Sequence, residues 1–158
     1  MNIPSNIKMV ITDFDGIFTD GSVIVNEDRT ISRKVSFKDI MGLSLLVKNG
    51  YKVAIVSGEK NSIIEMLAER FKLDEIFMDI RVKIDVVKDI LGRNNLTPEE
   101  VIYIGDDVND KDCLEYVKTK ITVPNANKKI KEISGIQITE AFGGDGAFRE
   151  VADLILYN

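Results

Sequence analysis

The feature that most constrains this chain is a short apolar run that begins at Met9 and ends on Asp13-Phe14-Asp15-Gly16. Such a run indicates a buried strand, and the two aspartates then lie where the strand stops. Successive side chains of a strand point to opposite faces, so Asp13 and Asp15 share one face. An ordinary acidic turn has the same pattern. An acidic pair at a strand end also suits a divalent cation, because Mg2+ prefers oxygen ligands.

The composition limits the classes of function open to these 158 residues. Length, 44% hydrophobic and 30% charged residues predict one globular domain spanning 1–158. A net charge of −5 disfavours nucleic-acid binding, which needs a basic surface. The absence of histidine excludes Ser-His-Asp and Cys-His catalysis, and the lone Cys113 is predicted to lie in the core. No apolar leader or membrane span is found, so we expect a cytoplasmic protein without a membrane partner.

Apolar strands alternate with amphipathic helices along the rest of the chain. After the first strand, the predicted elements are a hairpin with strands at 22–26 and 30–37, a helix at 41–47, a strand at 52–56, a helix at 61–71, a strand at 75–78, a helix at 83–91, a strand at 101–104, a helix at 110–117, a strand at 121–123, a helix at 128–133, a strand at 136–138 and a helix at 147–156. This alternation predicts an α/β fold, a doubly wound parallel sheet with a protruding β-hairpin. Ligands of such sheets bind at the carboxyl ends of the strands.

Polar residues recur at those predicted strand ends. Ser57-Gly58 offers a hydroxyl and a backbone N–H that can bind a phosphate oxygen, although Ser-Gly is also a common turn. The carboxylates of Asp106, Asp107 and Asp110 repel one another unless a cation is present, and a solvated acidic loop is the alternative. Lys83, at a predicted helix start, is either a surface lysine or the fixed cation of a site.

The order Asp-x-Asp, Ser, Lys and Gly-Asp-Asp-x-x-Asp resembles the four motifs of the haloacid dehalogenase (HAD) superfamily of phosphotransferases. The resemblance implies that Asp13 is the nucleophile and that Asp15 is the general acid and base. Ser57 would contact the phosphate, and Lys83 would neutralise the phosphate and the nucleophile together. A Mg2+ cofactor would be held by Asp13, by the backbone carbonyl of Asp15 and by Asp106.

The spacing between the motifs leaves no room for a cap domain. Only the hairpin, one helix and one strand fit between Asp15 and Ser57, and only one helix and one strand fit between Ser57 and Lys83. The resemblance narrows to the capless branch that dephosphorylates 3-deoxy-ulosonic acid phosphates, and it covers nearly the whole chain. The segments that carry it are Asp39 with Gly42-Leu43, Tyr103 to Asp110, and Gly143 to Glu150.

Two substrates stay open within that branch: 3-deoxy-D-manno-octulosonate 8-phosphate (KDO 8-phosphate) and a sialic-acid-type nonulosonate 9-phosphate. Octulosonate enzymes have Gly-Arg where this chain has Gly58-Glu59, which is similar to the nonulosonate enzymes. The resemblance implies that Glu59 and Arg70 hold the sugar, although a further arginine expected on that helix is Leu67 here. Gly58 and Arg149 complete the predicted substrate contacts.

Enzymes of this branch are similar in forming tetramers whose hairpins close each other's sites, so a homotetramer acting on a small sugar-acid phosphate is expected. The hairpin region supports this, because it carries more apolar surface than a free hairpin should expose. The apolar side chains concerned are Val23, Ile24, Val25 and Ile31.

Two other functions are considered beside a phosphatase. One is a non-catalytic oligomerisation module, of the kind found fused to CMP-sialate synthetases, and the retained acidic residues and lysine disfavour it. The other is a receiver-type phospho-aspartate domain. Its acidic pair comes first in the order, whereas this chain ends its set with Asp106-Asp107, and the glycine-rich loop 143–146 has no place in a receiver.

Overall fold

The computed structural model describes residues 1–73 and 75–157, and it contains eight strands and six helices in that part of the chain. The strands are β1 Met9–Thr12, β2 Ile24–Val25, β3 Ile31–Ser32, β4 Lys52–Val56, β5 Glu75–Phe77, β6 Val101–Ile104, β7 Thr119–Thr122 and β8 Gln137–Ile138. The helices are α1 Phe37–Lys48, α2 Ser62–Phe71, α3 Lys83–Arg93, α4 Lys111–Tyr116, α5 Lys128–Lys131 and α6 Ala147–Tyr157. A 3-10 turn, Val108–Asp110, leads into α4.

Six strands form one parallel sheet in the order β5-β4-β1-β6-β7-β8. β1 lies near the middle, and its last residue, Thr12, is in register with Ile55 of β4 and Ile104 of β6. All four residues of β1 are buried, as expected of a strand covered on both faces. Because parallel strands end at the same edge, the chain leaves β1, β4 and β6 at one place.

Helices cover both faces of this sheet, and two apolar clusters form the core. Val10 of β1 faces the cluster that includes Leu43 of α1 and Phe148 of α6. Met9 and Ile11 face the opposite cluster, which is built by residues of α3 and α4. The predicted doubly wound parallel sheet is therefore confirmed, and Cys113 is buried in the second cluster as predicted.

The hairpin is shorter than the sequence predicted. β2 and β3 form a two-stranded antiparallel sheet of their own, where strands at 22–26 and 30–37 had been expected. The second strand ends early because α1 begins at Phe37 instead of 41. The Ser36 hydroxyl accepts a hydrogen bond from the Lys38 N–H at 3.2 Å, and this cap fixes the helix start.

Between the strands that carry the predicted motifs, residues 1–73 and 75–157 contain the hairpin and single helices but no inserted cap domain. No helix in these ranges is both long and apolar enough to cross a lipid bilayer.

Candidate active site

Asp13 is the first residue after β1, and the sheet fixes its backbone. Its N–H donates to the Ile104 carbonyl at 2.9 Å, which continues the pairing of β1 with β6. The Phe14 N–H donates to Asp13 Oδ1 at 2.6 Å, so one carboxylate oxygen is held by the turn itself. Asp13 is only 5% exposed, which places a carboxylate almost entirely out of water.

Lys83 lies between two buried carboxylates. It is the first residue of α3, and its side chain is fully buried. Its Nζ is 2.8 Å from Asp13 Oδ2 and 2.8 Å from Asp110 Oδ1. The Tyr103 hydroxyl donates to the same Asp110 oxygen at 2.7 Å. The lysine is therefore a fixed internal cation and not a surface residue.

The pKa values of this group reflect burial and mutual charge. Burial alone would lower the pKa of Lys83, but Asp110 and Asp13 together raise it above its usual value, which keeps the ammonium charged. Burial and the Asp110 carboxylate raise the pKa of Asp13 well above its usual range, because two acids share one lysine. Burial likewise raises the pKa of Tyr103, next to Asp110, so its hydroxyl stays a donor.

Asp110 also shapes the loop after β6. Its Oδ2 accepts the backbone N–H groups of Asp106 at 3.1 Å and Asp107 at 3.3 Å. A Cβ on Gly105 would lie 2.5 Å from the Asp110 Cγ, so no larger residue fits there. The glycine before the acidic pair is thus required for the carboxylate of Asp110 to close the loop.

Asp106 faces Asp13 across a cavity of about 190 Å3, called here the acidic cavity. Burial, followed by the charges of Asp110 and Asp107, raises the pKa of Asp106 to about 7. A Cβ on Gly16 would lie 2.0 Å from Asp106 Oδ2, so the turn after β1 approaches this carboxylate closely. The residues lining the acidic cavity are Asp13, Asp15, Gly16, Gly21, Asp106, Asp107 and Asn109.

The donor set around this cavity fits a hard divalent cation. One carboxylate oxygen from each of Asp13, Asp106 and Asp110 lies within 4.8 Å of the others. Carboxylate oxygens are ligands of Mg2+, and a cation would offset the burial and the carboxylate repulsion that together raise the pKa of Asp106. The carboxylate of Asp15 is not in this cluster. This does not contradict the predicted metal site, in which Asp15 contributes its backbone carbonyl and not its carboxylate.

Asp15 has a partner that the sequence did not reveal. Its Oδ1 accepts the Arg33 Nε–H at 3.0 Å and the Thr19 hydroxyl at 3.3 Å, whereas its buried Oδ2 has no hydrogen-bond partner among the described residues. Arg33 lies just after β3 and is separated from Asp15 by 18 positions in the chain. No motif marks a single arginine at the base of a hairpin, so only the fold reveals this contact.

Ser57 follows β4 and is buried at the same edge of the sheet. Its hydroxyl accepts the Glu59 N–H at 3.2 Å. A Cβ on Gly58 would lie 3.5 Å from Nδ2 of Asn109, a residue that lines the acidic cavity. The Ser57-Gly58 turn therefore borders that cavity, although neither residue lines it.

The three predicted sugar contacts do not meet within one chain. Glu59 is exposed and lines a second cavity of about 320 Å3, between the hairpin and the start of α2. Arg70, in the last turn of α2, is exposed and lies over the Phe71 ring at 5.4 Å. Arg149 pairs with Asp153 along α6 at 2.7 Å and lines a third cavity of about 560 Å3.

The glycine-rich segment before α6 supports the loop that follows β1. The Gly144 N–H donates to the Ile17 carbonyl at 2.9 Å, and a Cβ on Gly143 would lie 1.8 Å from the Gly16 carbonyl oxygen. Asp39 accepts the backbone N–H of Gly146 at 3.0 Å. This motif acts through backbone contact with the acidic loop.

Comparison with known proteins gives one consistent group of relatives. A family model for haloacid dehalogenase-like hydrolases matches residues 75–147. The 3-deoxy-D-manno-octulosonate 8-phosphate phosphatase KdsC of Escherichia coli (strain K12) is 28% identical over 151 residues, covering 96% of this chain and 80% of that protein.

Solved structures of 3-deoxy-D-manno-octulosonate 8-phosphate phosphatases are also similar to this chain. The 3-deoxy-D-manno-octulosonate 8-phosphate phosphatase from Moraxella catarrhalis, in complex with magnesium, phosphate and KDO, is 30% identical with a TM-score of 0.90, covering 96% of this chain and 87% of that one. The cobalt-bound deoxy-D-mannose-octulosonate 8-phosphate phosphatase from Haemophilus influenzae is also 30% identical, with a TM-score of 0.88 and coverage of 96% and 88%.

Proposed function

Because this chain belongs to the haloacid dehalogenase-like hydrolase family and is a phosphatase of that type, we propose that it hydrolyses KDO 8-phosphate with Mg2+ as cofactor. The observation that carries this proposal is the placement of Asp13 against the buried cation Lys83 beside a three-carboxylate cluster. Two anions must approach one another in phosphoryl transfer, and fixed positive charge stabilises that approach.

Asp13 is the proposed nucleophile. A carboxylate oxygen attacks phosphorus, the bond from phosphorus to the sugar oxygen breaks, and an aspartyl-phosphate forms. Lys83 neutralises Asp13 at 2.8 Å while the phosphate approaches. Asp15, two residues on, is the proposed acid that protonates the sugar alkoxide and then the base that takes a proton from the water that releases phosphate. Ser57 is the proposed phosphate contact at the neighbouring strand end.

Mg2+ would be held by the carboxylates of Asp13 and Asp106 and by the backbone carbonyl of Asp15. When bound, it supplies positive charge that offsets the phosphate and the acidic cluster. Asp110 has a different proposed role, because Lys83 and Tyr103 already occupy its Oδ1 and the loop N–H groups its Oδ2. It orients the lysine and the loop that carries Asp106.

A nonulosonate 9-phosphate is the second candidate substrate. Glu59 after Gly58 favours it, whereas Leu67 disfavours it because it stands where an arginine of the nonulosonate enzymes is expected. Phosphate release should be measured on both sugar-acid phosphates and on 4-nitrophenyl phosphate, with Mg2+ and with EDTA. Asp13→Asn should abolish release on all three while circular dichroism stays unchanged, and substantial residual turnover would exclude Asp13 as nucleophile. Release at full rate in EDTA would contradict the metal.

The functional unit is proposed to be a homotetramer. Val23, Ile24, Val25 and Ile31 of the hairpin are 47–68% exposed, and Phe37 beside them is 81% exposed. Contact with a neighbouring copy would bury this surface and bring the neighbour's side chains to the site, where Arg70 and Arg149 of one chain are absent. Light scattering at micromolar concentration tests this, and a fully active monomer would refute it.

The single domain over 1–158 and the cytoplasmic location stay predictions.

Neither alternative function is favoured. A non-catalytic oligomerisation module would not need Lys83 buried between Asp13 and Asp110. A receiver-type domain has no counterpart of the glycine-rich loop, whose Gly143 lies against the Gly16 carbonyl in this chain. The phosphate-release assay separates the phosphatase from both.

A further inference from the structure

A hydrogen bond between Arg33, which lines the second cavity, and Asp15, which lines the acidic cavity, connects the two cavities. The second cavity, a space of about 320 Å3 called here the hairpin cavity, is formed by the base of the hairpin and the start of α2. Arg33 lines it and donates its Nε–H to Asp15 of the acidic cavity at 3.0 Å. A molecule whose phosphate occupies the acidic cavity could therefore extend its other end into the hairpin cavity.

Asn61 lines the hairpin cavity and carries a buried donor without a partner among the described residues. It is the N-cap of the ten-residue helix α2, and its Oδ1 accepts the Ile64 N–H at 3.1 Å. This bond fixes which end of the amide faces the helix. The other end, Nδ2, is buried without a hydrogen-bond partner among the described residues, and Asn61 is only 8% exposed. A buried unpaired donor is unfavourable, so it indicates a missing acceptor.

The charges around the hairpin cavity favour an anionic acceptor. Arg29, Arg33 and Lys60 line it against the single carboxylate of Glu59. The Arg33 side chain is 10% exposed, and within residues 1–73 and 75–157 only its Nε–H is engaged. The remaining guanidinium N–H groups form a planar fork that matches a carboxylate. Helix α2 also starts here, where its dipole favours negative charge.

We propose that the hairpin cavity binds the carboxylate of the sugar-acid substrate, with Asn61 Nδ2 and the Arg33 guanidinium as donors. This inference rests on the proposed function, because it places the second charged end of that substrate. In an ulosonic acid phosphate the carboxylate and the phosphate lie at opposite ends of the carbon chain, as the two cavities require. Arg33 then links recognition of the carboxylate to the position of Asp15.

Asn61→Asp is the sharpest test. Aspartate is an equally good N-cap and keeps the acceptor for Ile64, so α2 should form. It replaces the free donor with a negative charge that repels a carboxylate. The ratio of kcat/KM for the preferred sugar-acid phosphate to kcat/KM for 4-nitrophenyl phosphate should fall at least tenfold, mainly through KM. Asn6→Asp, an exposed site before β1 at the opposite edge of the sheet, makes the same charge change and should keep the wild-type ratio.

A second variant and a binding measurement keep the proposal testable if Asn61→Asp does not fold. Asn61→Ser keeps a capping hydroxyl but removes the amide donor, and it should lower the same ratio in the same direction if Asn61→Asp fails to fold. Calorimetric titration with KDO, which has no phosphate, should show binding to the wild type at least tenfold tighter than to either variant.

The outcomes distinguish the two proposals. If the wild type hydrolyses neither sugar-acid phosphate, the proposed function is wrong. If it hydrolyses one of them and both Asn61 variants keep the ratio and the KDO affinity within twofold, the cavity does not bind the carboxylate and the function stands.

Discussion

Removal of the Lys83 ammonium should destabilise the folded protein strongly. This effect can be measured by thermal unfolding, without an assay of turnover. Lys83→Met keeps most of the apolar stem and deletes the charge that touches Asp13 and Asp110 at 2.8 Å each. All three side chains are at most 8% exposed, so water cannot replace the missing cation. Breaking a buried ion pair from one side costs about 3–5 kcal/mol.

That range converts to a measurable shift. For a chain of this length, 1 kcal/mol corresponds to about 2–4 °C in Tm, so Lys83→Met should melt about 6–20 °C below wild type at pH 7.5. The loss should shrink as the pH is lowered, because the raised pKa of Asp13 lets this carboxylate take up a proton, which removes part of the uncompensated negative charge. Circular dichroism melts in EDTA are required, since a bound divalent cation would supply the missing charge.

Lys88→Met is the matched control. Lys88 lies on the same helix but is exposed, with its ammonium 5.5 Å from the Tyr116 ring centre, so its loss should shift Tm by at most about 2 °C. Asp110→Asn combined with Lys83→Met should recover part of the stability, because one of the two orphaned charges is gone. A Lys83→Met melt indistinguishable from that of Lys88→Met would show that the buried triad does not support the fold.

The remaining predictions concern the metal, the loop and the hairpin. The Asp106 pKa of about 7 means that Mg2+ must displace a proton at low pH, so its apparent affinity in thermal-shift titrations should weaken from pH 8 to pH 6; equal affinity at both would contradict the ligand. Gly16→Ala forces a Cβ within 2.0 Å of Asp106 Oδ2 at a φ of +86° and should lower kcat on the order of 100-fold; near-normal kcat would exclude this close approach. Deletion of the hairpin tip, 26–29, should reduce kcat/KM for the sugar-acid phosphate far more than for 4-nitrophenyl phosphate, and an equal loss on both would mean that the hairpin only supports the fold.

The strands that end at the site could be predicted because their sequences leave few alternatives. Continuous apolar runs such as Val101–Ile104 are typical of parallel strands buried on both faces, and β6 has those bounds. The segment 30–37 was harder, since its alternation favours a strand whereas a local Ser36 cap starts a helix at Phe37. A cap of one residue competes with periodicity, and only the folded geometry decides between them.

The residues of the candidate site likewise fall into those that the sequence could predict and those that it could not. The order of motifs was sufficient to propose Asp13, Lys83 and Asp106 as neighbours, because topology brings parallel strand ends together. The contact between Arg33 and Asp15 depends on how the hairpin folds back, which no spacing in the sequence reveals. The free Nδ2 of Asn61 is likewise invisible, because any capping residue would satisfy the sequence pattern of a helix start.

The docking of Gly143 onto the Gly16 carbonyl has a consequence for the order of events at the ribosome. The nucleophile loop is translated first, and the backbone on which it rests follows more than a hundred residues later. At about 5–20 residues per second, roughly 6–25 s separate the two segments. A nascent chain therefore exposes its aspartates long before their support exists, and competence for catalysis arises only after the segment at Gly143 has been synthesised.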